Sequence, residues 1–133
     1  MPDNHTPETV LVVEDEILIR MPISQYLRDC GYKVIEAASA DEAMMVLQHK
    51  ETIVDIVFSD IEMPGAMDGF GLVSWIRVSR PGLDVILTGT VPRSVGAARD
   101  LCEEGPIPKP YDSRTVHNQI RRLLAARASA TKR

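Results

Sequence analysis

The chain has 133 residues, 44% of them hydrophobic and 26% charged, which is typical of one globular domain with a buried core and excludes a disordered chain. It has no long apolar run, no export signal and only two cysteines, Cys30 and Cys102, so we expect a cytoplasmic protein without a membrane span or a disulfide framework. The net charge of −4 combines an acidic body, with a balance of −10 over residues 1–113, and a basic end, with +6 over residues 114–133; such a body disfavours direct nucleic-acid binding.

The first part of the chain predicts two strands, each followed by a helix. Val10–Val13 is a continuous apolar run, three of its four residues β-branched, which is typical of a strand covered on both faces. Ile17–Cys30 then has helical periodicity, with its apolar positions at Leu18, Met21, Leu27 and Cys30, and we expect the Cys30 thiol to be buried. Lys33–Ala37 predicts the second strand. Ser39 and Glu42 form a capping box for the next helix, whose apolar positions are Ala43, Val46 and Leu47.

The second part predicts three further strands and three helices. Asp55–Ser59 is the third strand, and a turn-rich stretch over 63–71 leads to a helix with Leu72, Val73 and Ile76 inward. Val85–Leu87 is the fourth strand, and Arg93–Cys102 the least regular helix. Ile107–Lys109 lies in the fifth strand. The last helix runs from Ser113 to Ala126, with apolar positions at Val116, Ile120, Leu123 and Leu124.

Five strands that alternate with five helices predict an α/β fold, a doubly wound parallel sheet with helices on both faces. The carboxyl ends of parallel strands meet at one edge, where such folds place their sites. The predicted strands end there in polar side chains, which are Glu14, Asp15, Asp60, Thr88 and Lys109. Clustered carboxylates repel one another unless a cation joins them, and oxygen ligands suit Mg²⁺. A carboxylate beside Mg²⁺ and a lysine can attack phosphorus and form an acyl phosphate.

Four motifs, in this order, resemble the receiver domain of bacterial two-component response regulators. They are VLVVEDE (10–16), SDIEMPGAMDGF (59–70), VILTGT (85–90) and PKPY (108–111). The resemblance extends from Val10 to about Ala126 and implies a flavodoxin-like strand order, 2-1-3-4-5. It implies that Asp60 accepts a phosphoryl group from a phosphohistidine on a histidine kinase or a histidine phosphotransfer protein.

The resemblance also implies roles for the other residues at this edge. Asp15 and Asp60 would ligate Mg²⁺ directly, together with the backbone carbonyl of Glu62. Glu14 would orient a metal-bound water or approach the ion. Lys109 would pair with the Asp60 carboxylate and later with a phosphoryl oxygen, and its bond to Pro110 would be cis. The Thr88 hydroxyl would bind the phosphoryl group and carry the signal outward.

The chain departs from the family pattern in two places. Pro106 stands where receivers usually carry an aromatic residue, three positions before Lys109, and the loop after Asp60 is one residue longer than the commonest form. The fifth strand has a proline at every second position, at Pro106, Pro108 and Pro110. Alternate residues of a strand direct their backbone groups to the same side, so the N–H groups that these prolines lack would all lie on one side of the strand. This predicts an edge strand that does not extend by β-pairing. We expect partners to contact side chains on the face of the fourth helix, fifth strand and fifth helix.

The leading interpretation is a stand-alone phosphorylation-controlled switch with an unknown downstream protein, no output domain in this chain, and no enzymatic activity beyond its own phosphorylation and dephosphorylation. One alternative is a receiver that acts unphosphorylated as a docking module, which Pro106 keeps open. Another is an Mg²⁺-dependent aspartyl phosphatase similar to haloacid-dehalogenase enzymes, although Glu62 stands where that family has a second Asp. Gly89 leaves room above Asp60 or is a simple turn glycine.

The expected domain organisation is a polar N-terminal tail over 1–8, the receiver domain over 9–127 and a basic C-terminal tail over 128–133. The basic end has two interpretations, a solvated helix face, which we favour, and a docking site for an acidic surface. A homodimer is left open.

Overall fold

The computed structural model describes residues 7–63, 65, 67–89 and 107–131. The elements are β1 (Thr9–Val13), α1 (Ile17–Asp29), β2 (Lys33–Ala37), α2 (Ala40–Gln48), β3 (Ile56–Asp60), α3 (Gly69–Ser79), β4 (Asp84–Thr88) and the C-terminal helix (Ser113–Thr131). The four strands begin and end within one residue of their predicted bounds, whereas the last helix continues five residues beyond its predicted end. The predicted helix Arg93–Cys102 and the departure at Pro106 lie outside the described residues.

The four strands form one parallel sheet in the order β2-β1-β3-β4, which confirms that part of the predicted order. Of the predicted fifth strand, Ile107 pairs with Thr88 in a parallel bridge. The Ile107 N–H donates to the Leu87 carbonyl at 2.7 Å, and the Ile107 carbonyl accepts from the Gly89 N–H at 3.0 Å. Ile107 therefore lies beside β4, where the fifth strand is expected. Pro108, of the opposite parity, has its nitrogen directed away from β4.

Both faces of the sheet are covered, because the strand side chains alternate between two clusters. Leu11 and Val57 pack with residues of α2 and α3, which include Ala43, Leu47, Leu72 and Ile76. Val10, Val12 and Phe58 pack on the other face with residues of α1 and the C-terminal helix, which include Ile23, Leu27, Val116 and Ile120. This arrangement confirms the doubly wound α/β class. Within the described ranges, no helix is both long enough and apolar enough to cross a bilayer.

Of the apolar positions predicted for α1, Leu27 is buried as expected, whereas Leu18 and Met21 are not. Ile23, Ser24 and Leu27 are buried, whereas Leu18 is 86% exposed and Met21 57% exposed. At 3.6 residues per turn, Leu18 and Met21 lie about half a turn away from Ile23 and Leu27, so the two apolar sets cannot face the sheet together.

The predicted burial of Cys30 was also wrong, because the residue caps the end of α1 and is exposed. Its thiol lies 3.5 Å from Nδ1 of His117 on the C-terminal helix. A position just past the last turn of a helix is less covered by the sheet, which explains why periodicity misplaced it.

The cap of α2 follows the predicted motif with one difference. The Ser39 Oγ accepts from the Glu42 N–H at 3.1 Å, as expected for an N-cap. The Glu42 carboxylate accepts from the Ala38 N–H at 2.8 Å, one residue before the cap. Both interactions satisfy backbone donors at the start of the helix.

Candidate functional site

The sheet brings the predicted polar side chains to one edge. Glu14 follows β1 directly and is 3% exposed; Asp60 ends β3 and is 4% exposed. Thr88 ends β4, is 1% exposed and is the register partner of Asp60. Because the three strands are parallel, their last side chains meet at the carboxyl edge, as the sequence predicted.

Lys109 joins two of these carboxylates. Its Nζ donates to Glu14 Oε1 at 2.8 Å and to Asp60 Oδ2 at 3.1 Å, and its peptide bond to Pro110 is cis. Burial raises the pKa of Glu14, and the bond from Lys109 only partly offsets that effect. Burial alone would lower the pKa of Lys109, but the bonds to the two carboxylates outweigh it, so the pKa of Lys109 is raised. The ammonium therefore neutralises part of the charge at this edge.

Glu14, Asp15 and Asp60 form a cluster of carboxylates, with one oxygen of each within 4.8 Å of the others. Asp15 is the most solvent-exposed of the three. The donors are all oxygens, which suits Mg²⁺. Mg²⁺ binds oxygen at about 2.1 Å, so opposite ligands lie about 4.2 Å apart. The cluster fits one such ion after a small side-chain adjustment or with a bridging water.

Glu62 is exposed, and the structure brings its backbone to the site. Its N–H donates to Asp60 Oδ1 at 3.3 Å. That bond spans two residues across the bend directly after β3. The ligand role of the Glu62 carbonyl stays a prediction from the resemblance.

The Thr88 hydroxyl points away from Asp60 in this structure. Its Oγ1 donates to the Ile107 carbonyl at 2.8 Å, and the same carbonyl accepts from the Gly89 N–H at 3.0 Å. Thr88 is thus tied to the segment beside β4. A move of the hydroxyl towards Asp60 would therefore break this bond.

Two glycines leave space around Asp60. A Cβ at Gly69 would lie 2.3 Å from the Asp60 carbonyl oxygen, and one at Gly89 would lie 3.0 Å from Asp60 Oδ1. Gly89 also has φ of +136°, a conformation that L side chains rarely adopt. The two interpretations of Gly89 therefore both apply. The importance of Gly69 was missed, because only the folded chain brings the start of α3 against β3.

Tyr111 and Arg20 are two further neighbours of the site that the sequence did not assign. The Tyr111 ring packs edge-on against Phe58, with centroids 5.4 Å apart, and its pKa is raised to about 12 by burial and then by the Glu14 charge. Tyr111 is therefore half-buried and packs against the core beside the site. Arg20 donates from Nη1 to the Glu14 carbonyl at 2.8 Å. Its position one turn into α1, after the acidic pair, is the only sequence signal that could have indicated it.

Comparison with known proteins identifies the family. A sequence model described as the response regulator receiver domain matches residues 10–121. The chain belongs to this family. Receiver domains are signalling modules of two-component systems, so a phosphorylation-controlled signalling role follows for the chain. They take phosphoryl groups from histidine kinases and typically bind Mg²⁺ at an acidic pocket of the kind described above.

Among curated relatives, the sensor kinase CckA of Brucella abortus is 35% identical over 119 residues, which cover 87% of this chain and 12% of the kinase. The transcriptional regulatory protein PdtaR of Mycobacterium tuberculosis is 37% identical over 112 residues, which cover 82% of this chain and 53% of that protein. The receiver thus spans about half, or much less, of the length of these relatives.

Solved structures agree with the fold. The chemotaxis response regulator CheY4 of Vibrio cholerae has a TM-score of 0.74 at 28% identity, covering 89% of this chain and 99% of that one. The receiver domain of the hybrid histidine kinase CckA has a TM-score of 0.72 at 29% identity, covering 87% and 98%. A CheY-like receiver domain protein of Methanospirillum hungatei, at 24% identity, has a TM-score of 0.82 over 94% and 99% of the two chains and shows the shared fold.

Proposed function

We propose that this receiver accepts a phosphoryl group on Asp60 from a phosphohistidine of a histidine kinase or a histidine phosphotransfer protein. The observation that carries the proposal is the environment of Asp60. Its carboxylate ends a central strand, is 4% exposed, is bonded to Lys109 and lies within the carboxylate cluster. A carboxylate so placed is a nucleophile held in one position beside a fixed positive charge.

In the proposed transfer, an Asp60 oxygen attacks phosphorus, the phosphorus–nitrogen bond of the phosphohistidine breaks, and the imidazole leaves. Asp15, Asp60 and the Glu62 carbonyl would hold Mg²⁺, which neutralises charge on the transferring group. Glu14, bonded to Lys109 and to the Glu16 N–H at 3.1 Å, keeps the ammonium beside Asp60. Lys109 then binds a phosphoryl oxygen once the Asp60 charge is shared with the new group.

We propose that Thr88 carries the change outward. When its hydroxyl turns to the phosphoryl group, the Ile107 carbonyl loses one of its two donors, and the segment beside β4 rearranges. Partners would then contact side chains on the face that the sequence predicts for the fourth helix, the fifth strand and the fifth helix. Pro108 directs its nitrogen away from β4, so it cannot donate to an added strand. A complex in which a partner strand pairs beside Ile107 would contradict this mode of contact.

The proposal is tested by intact-protein mass spectrometry after incubation with acetyl phosphate and Mg²⁺. We expect a single phosphoryl adduct that is lost in Asp60→Asn and after chelation of the metal. Asp41→Asn is the matched control, because Asp41 is an exposed aspartate in the first turn of α2 and should keep the adduct. An adduct that survives in Asp60→Asn would refute Asp60 as the acceptor.

Binding of beryllium fluoride separates the switch from the unphosphorylated docking module. The switch predicts that this phosphoryl mimic binds only with Mg²⁺ and changes the amide NMR signals of Thr88 and Ile107. A receiver that works unphosphorylated would keep its partner affinity whether or not the mimic is bound. We propose that this phosphoryl transfer takes place in the cytoplasm, as predicted from the sequence.

A further inference from the structure

Arg20, in the first turns of α1, contacts the peptide that joins the two acidic residues after β1. Its Nη1 donates to the Glu14 carbonyl at 2.8 Å, and its side chain is only 15% exposed. We infer that Arg20 is a positioning residue for the Mg²⁺ site: it fixes the Glu14–Asp15 peptide and thereby the direction of the Asp15 side chain. This inference rests on the proposed function, because it concerns the proposed ligand Asp15.

A salt bridge holds the Arg20 guanidinium in place. Its Nε donates to Glu36 Oε1 at 3.0 Å, while the other Glu36 oxygen accepts from Arg28 Nη2 at 3.1 Å. Glu36 lies in β2, beside β1, so the anchor belongs to the sheet and not to a loop. The rigid fork of a guanidinium can donate in two directions at once, towards Glu36 and towards the Glu14 carbonyl. A lysine, with a single nitrogen on a flexible stem, cannot hold both contacts in this geometry.

The Glu14 backbone is thus held on both sides. Its N–H donates to the Ala37 carbonyl of β2 at 3.0 Å, and its carbonyl accepts from Arg20. The next residue, Asp15, is solvent-exposed and lies between two other acids, which repel it. Without the Arg20 bond, the Glu14–Asp15 peptide can rotate and the Asp15 carboxylate can move away from its neighbours. A site whose ligands are already oriented binds its ion more tightly than one that must first be ordered.

Arg20 also brings a positive charge close to the cluster, and that charge acts in the opposite direction. If charge dominated, its removal would strengthen Mg²⁺ binding. If positioning dominates, removal weakens binding, and so does a lysine that keeps the charge but not the geometry. For Arg20→Met, a dominant charge effect predicts tighter Mg²⁺ binding, whereas a dominant positioning effect predicts weaker binding. For Arg20→Lys, a dominant charge effect predicts no change, whereas a dominant positioning effect again predicts weaker binding.

The experiment is isothermal titration of Mg²⁺ into the full chain and three variants, each checked by thermal denaturation. We expect Arg20→Met and Arg20→Lys each to raise the Mg²⁺ dissociation constant by about 3- to 10-fold. Arg28→Met is the matched control. Arg28 shares Glu36 with Arg20, but its other bond goes to the Val34 carbonyl at 3.2 Å, so Mg²⁺ affinity should stay within about 2-fold of wild type.

The rate of phosphorylation by acetyl phosphate gives a second measurement. If Arg20 positions the Mg²⁺ ligands, the Mg²⁺ concentration that gives the half-maximal phosphorylation rate rises in Arg20→Met. It rises by the same factor as the Mg²⁺ dissociation constant. At saturating Mg²⁺ the rate should return to within about 2-fold of wild type. General damage to the site would lower the saturated rate as well. Arg20→Lys keeps the test available if Arg20→Met does not fold.

Unchanged or tighter Mg²⁺ binding in Arg20→Met would overturn the inference, and so would an equal loss in Arg28→Met. These results leave the proposed function in place as long as wild type binds Mg²⁺ and forms the Asp60 adduct. Wild type that binds no Mg²⁺ would overturn both. The wild-type titration and the wild-type Asp60 adduct together therefore distinguish the two failures.

Discussion

Replacement of Lys109 by methionine tests how far one ammonium stabilises the buried acids. Methionine keeps most of the aliphatic stem but removes the donors to Glu14 Oε1 at 2.8 Å and Asp60 Oδ2 at 3.1 Å. The two carboxylates are then left nearly buried without their common partner. We expect Lys109→Met to be less stable than wild type, and the loss to depend on pH.

The magnitude follows from the two lost bonds. A hydrogen bond to a charged group contributes about 1.5–3 kcal/mol when it is buried. The Lys109 side chain is 23% exposed, so water can solvate the freed carboxylates in part, and we reduce the sum to about 2–3 kcal/mol at about pH 8. This is a large share of the stability of a small domain, so the variant should unfold at a clearly lower urea concentration.

The sign of the pH dependence comes from Glu14. Burial already raises the pKa of this carboxyl above 4.5, and the hydrogen bond from Lys109 lowers that pKa in part. Loss of the bond in Lys109→Met therefore raises the pKa of Glu14 further. A carboxyl whose folded pKa lies above its unfolded value destabilises the fold only where it is ionised in the unfolded chain. The loss is therefore small below pH 4.5 and grows as pH rises through the raised folded pKa.

The assay is urea unfolding without divalent cations, followed by far-UV circular dichroism at about pH 8 and about pH 5. Chelation is needed because a bound cation would replace the ammonium. Lys50→Met, at an exposed lysine just after α2, is the control and should change stability little at either pH. An equal loss at both pH values, or stability equal to wild type at pH 8, would refute the reasoning.

Three further predictions follow from the same contacts. Gly89→Ala and Gly82→Ala should each lower the free energy of unfolding in urea by about 1–2 kcal/mol, since both glycines have positive φ. Only Gly89→Ala should slow phosphorylation by acetyl phosphate, because its Cβ would lie 3.0 Å from Asp60 Oδ1, while a Cβ at Gly82 would meet none of the described atoms within 4 Å. Equal phosphorylation rates in the two variants would contradict this. Thr88→Val removes the bond to the Ile107 carbonyl and should lower the free energy of unfolding by about 1 kcal/mol, so an unchanged urea midpoint would count against that bond. Burial lowers the pKa of His117, so protonation favours the unfolded chain and stability should fall as pH decreases through 6.5; His117→Gln should lose less between about pH 7.5 and 5.5, and parallel pH curves would argue against it.

The sequence was most informative where a residue type or a short run of residues indicates one local structural feature. The apolar, mostly β-branched run before Glu14 and the apolar run before Asp60 predicted two central strands, because a strand covered on both faces favours a continuous apolar run. Ser39 predicted the start of α2 through its N-cap bond. The acidic, hydroxyl and lysine residues at the strand ends predicted one common edge, because parallel strands all end there.

Periodicity was least informative for α1. Leu18 and Met21 are apolar but lie on the exposed side, whereas Ser24 is polar and fully buried. A helix with apolar residues around most of its circumference leaves the choice of buried face to the sheet on which it packs. Cys30 was misplaced for a related reason, because it lies just beyond the helical turns that the sheet covers.

The sequence alone determined the α/β class, because apolar runs and helical periodicity are local patterns, and its four ordered motifs indicated the family. The strand order and the candidate acceptor Asp60 followed from that resemblance. Only the tertiary structure decided which partners the side chains take. Lys109 reaches Glu14 across 95 positions, the Thr88 hydroxyl binds Ile107 and not Asp60, and Arg20 holds the Glu14 carbonyl. Such contacts depend on rotamers and on distances of about 3 Å between segments that only packing brings together, and no local pattern encodes them.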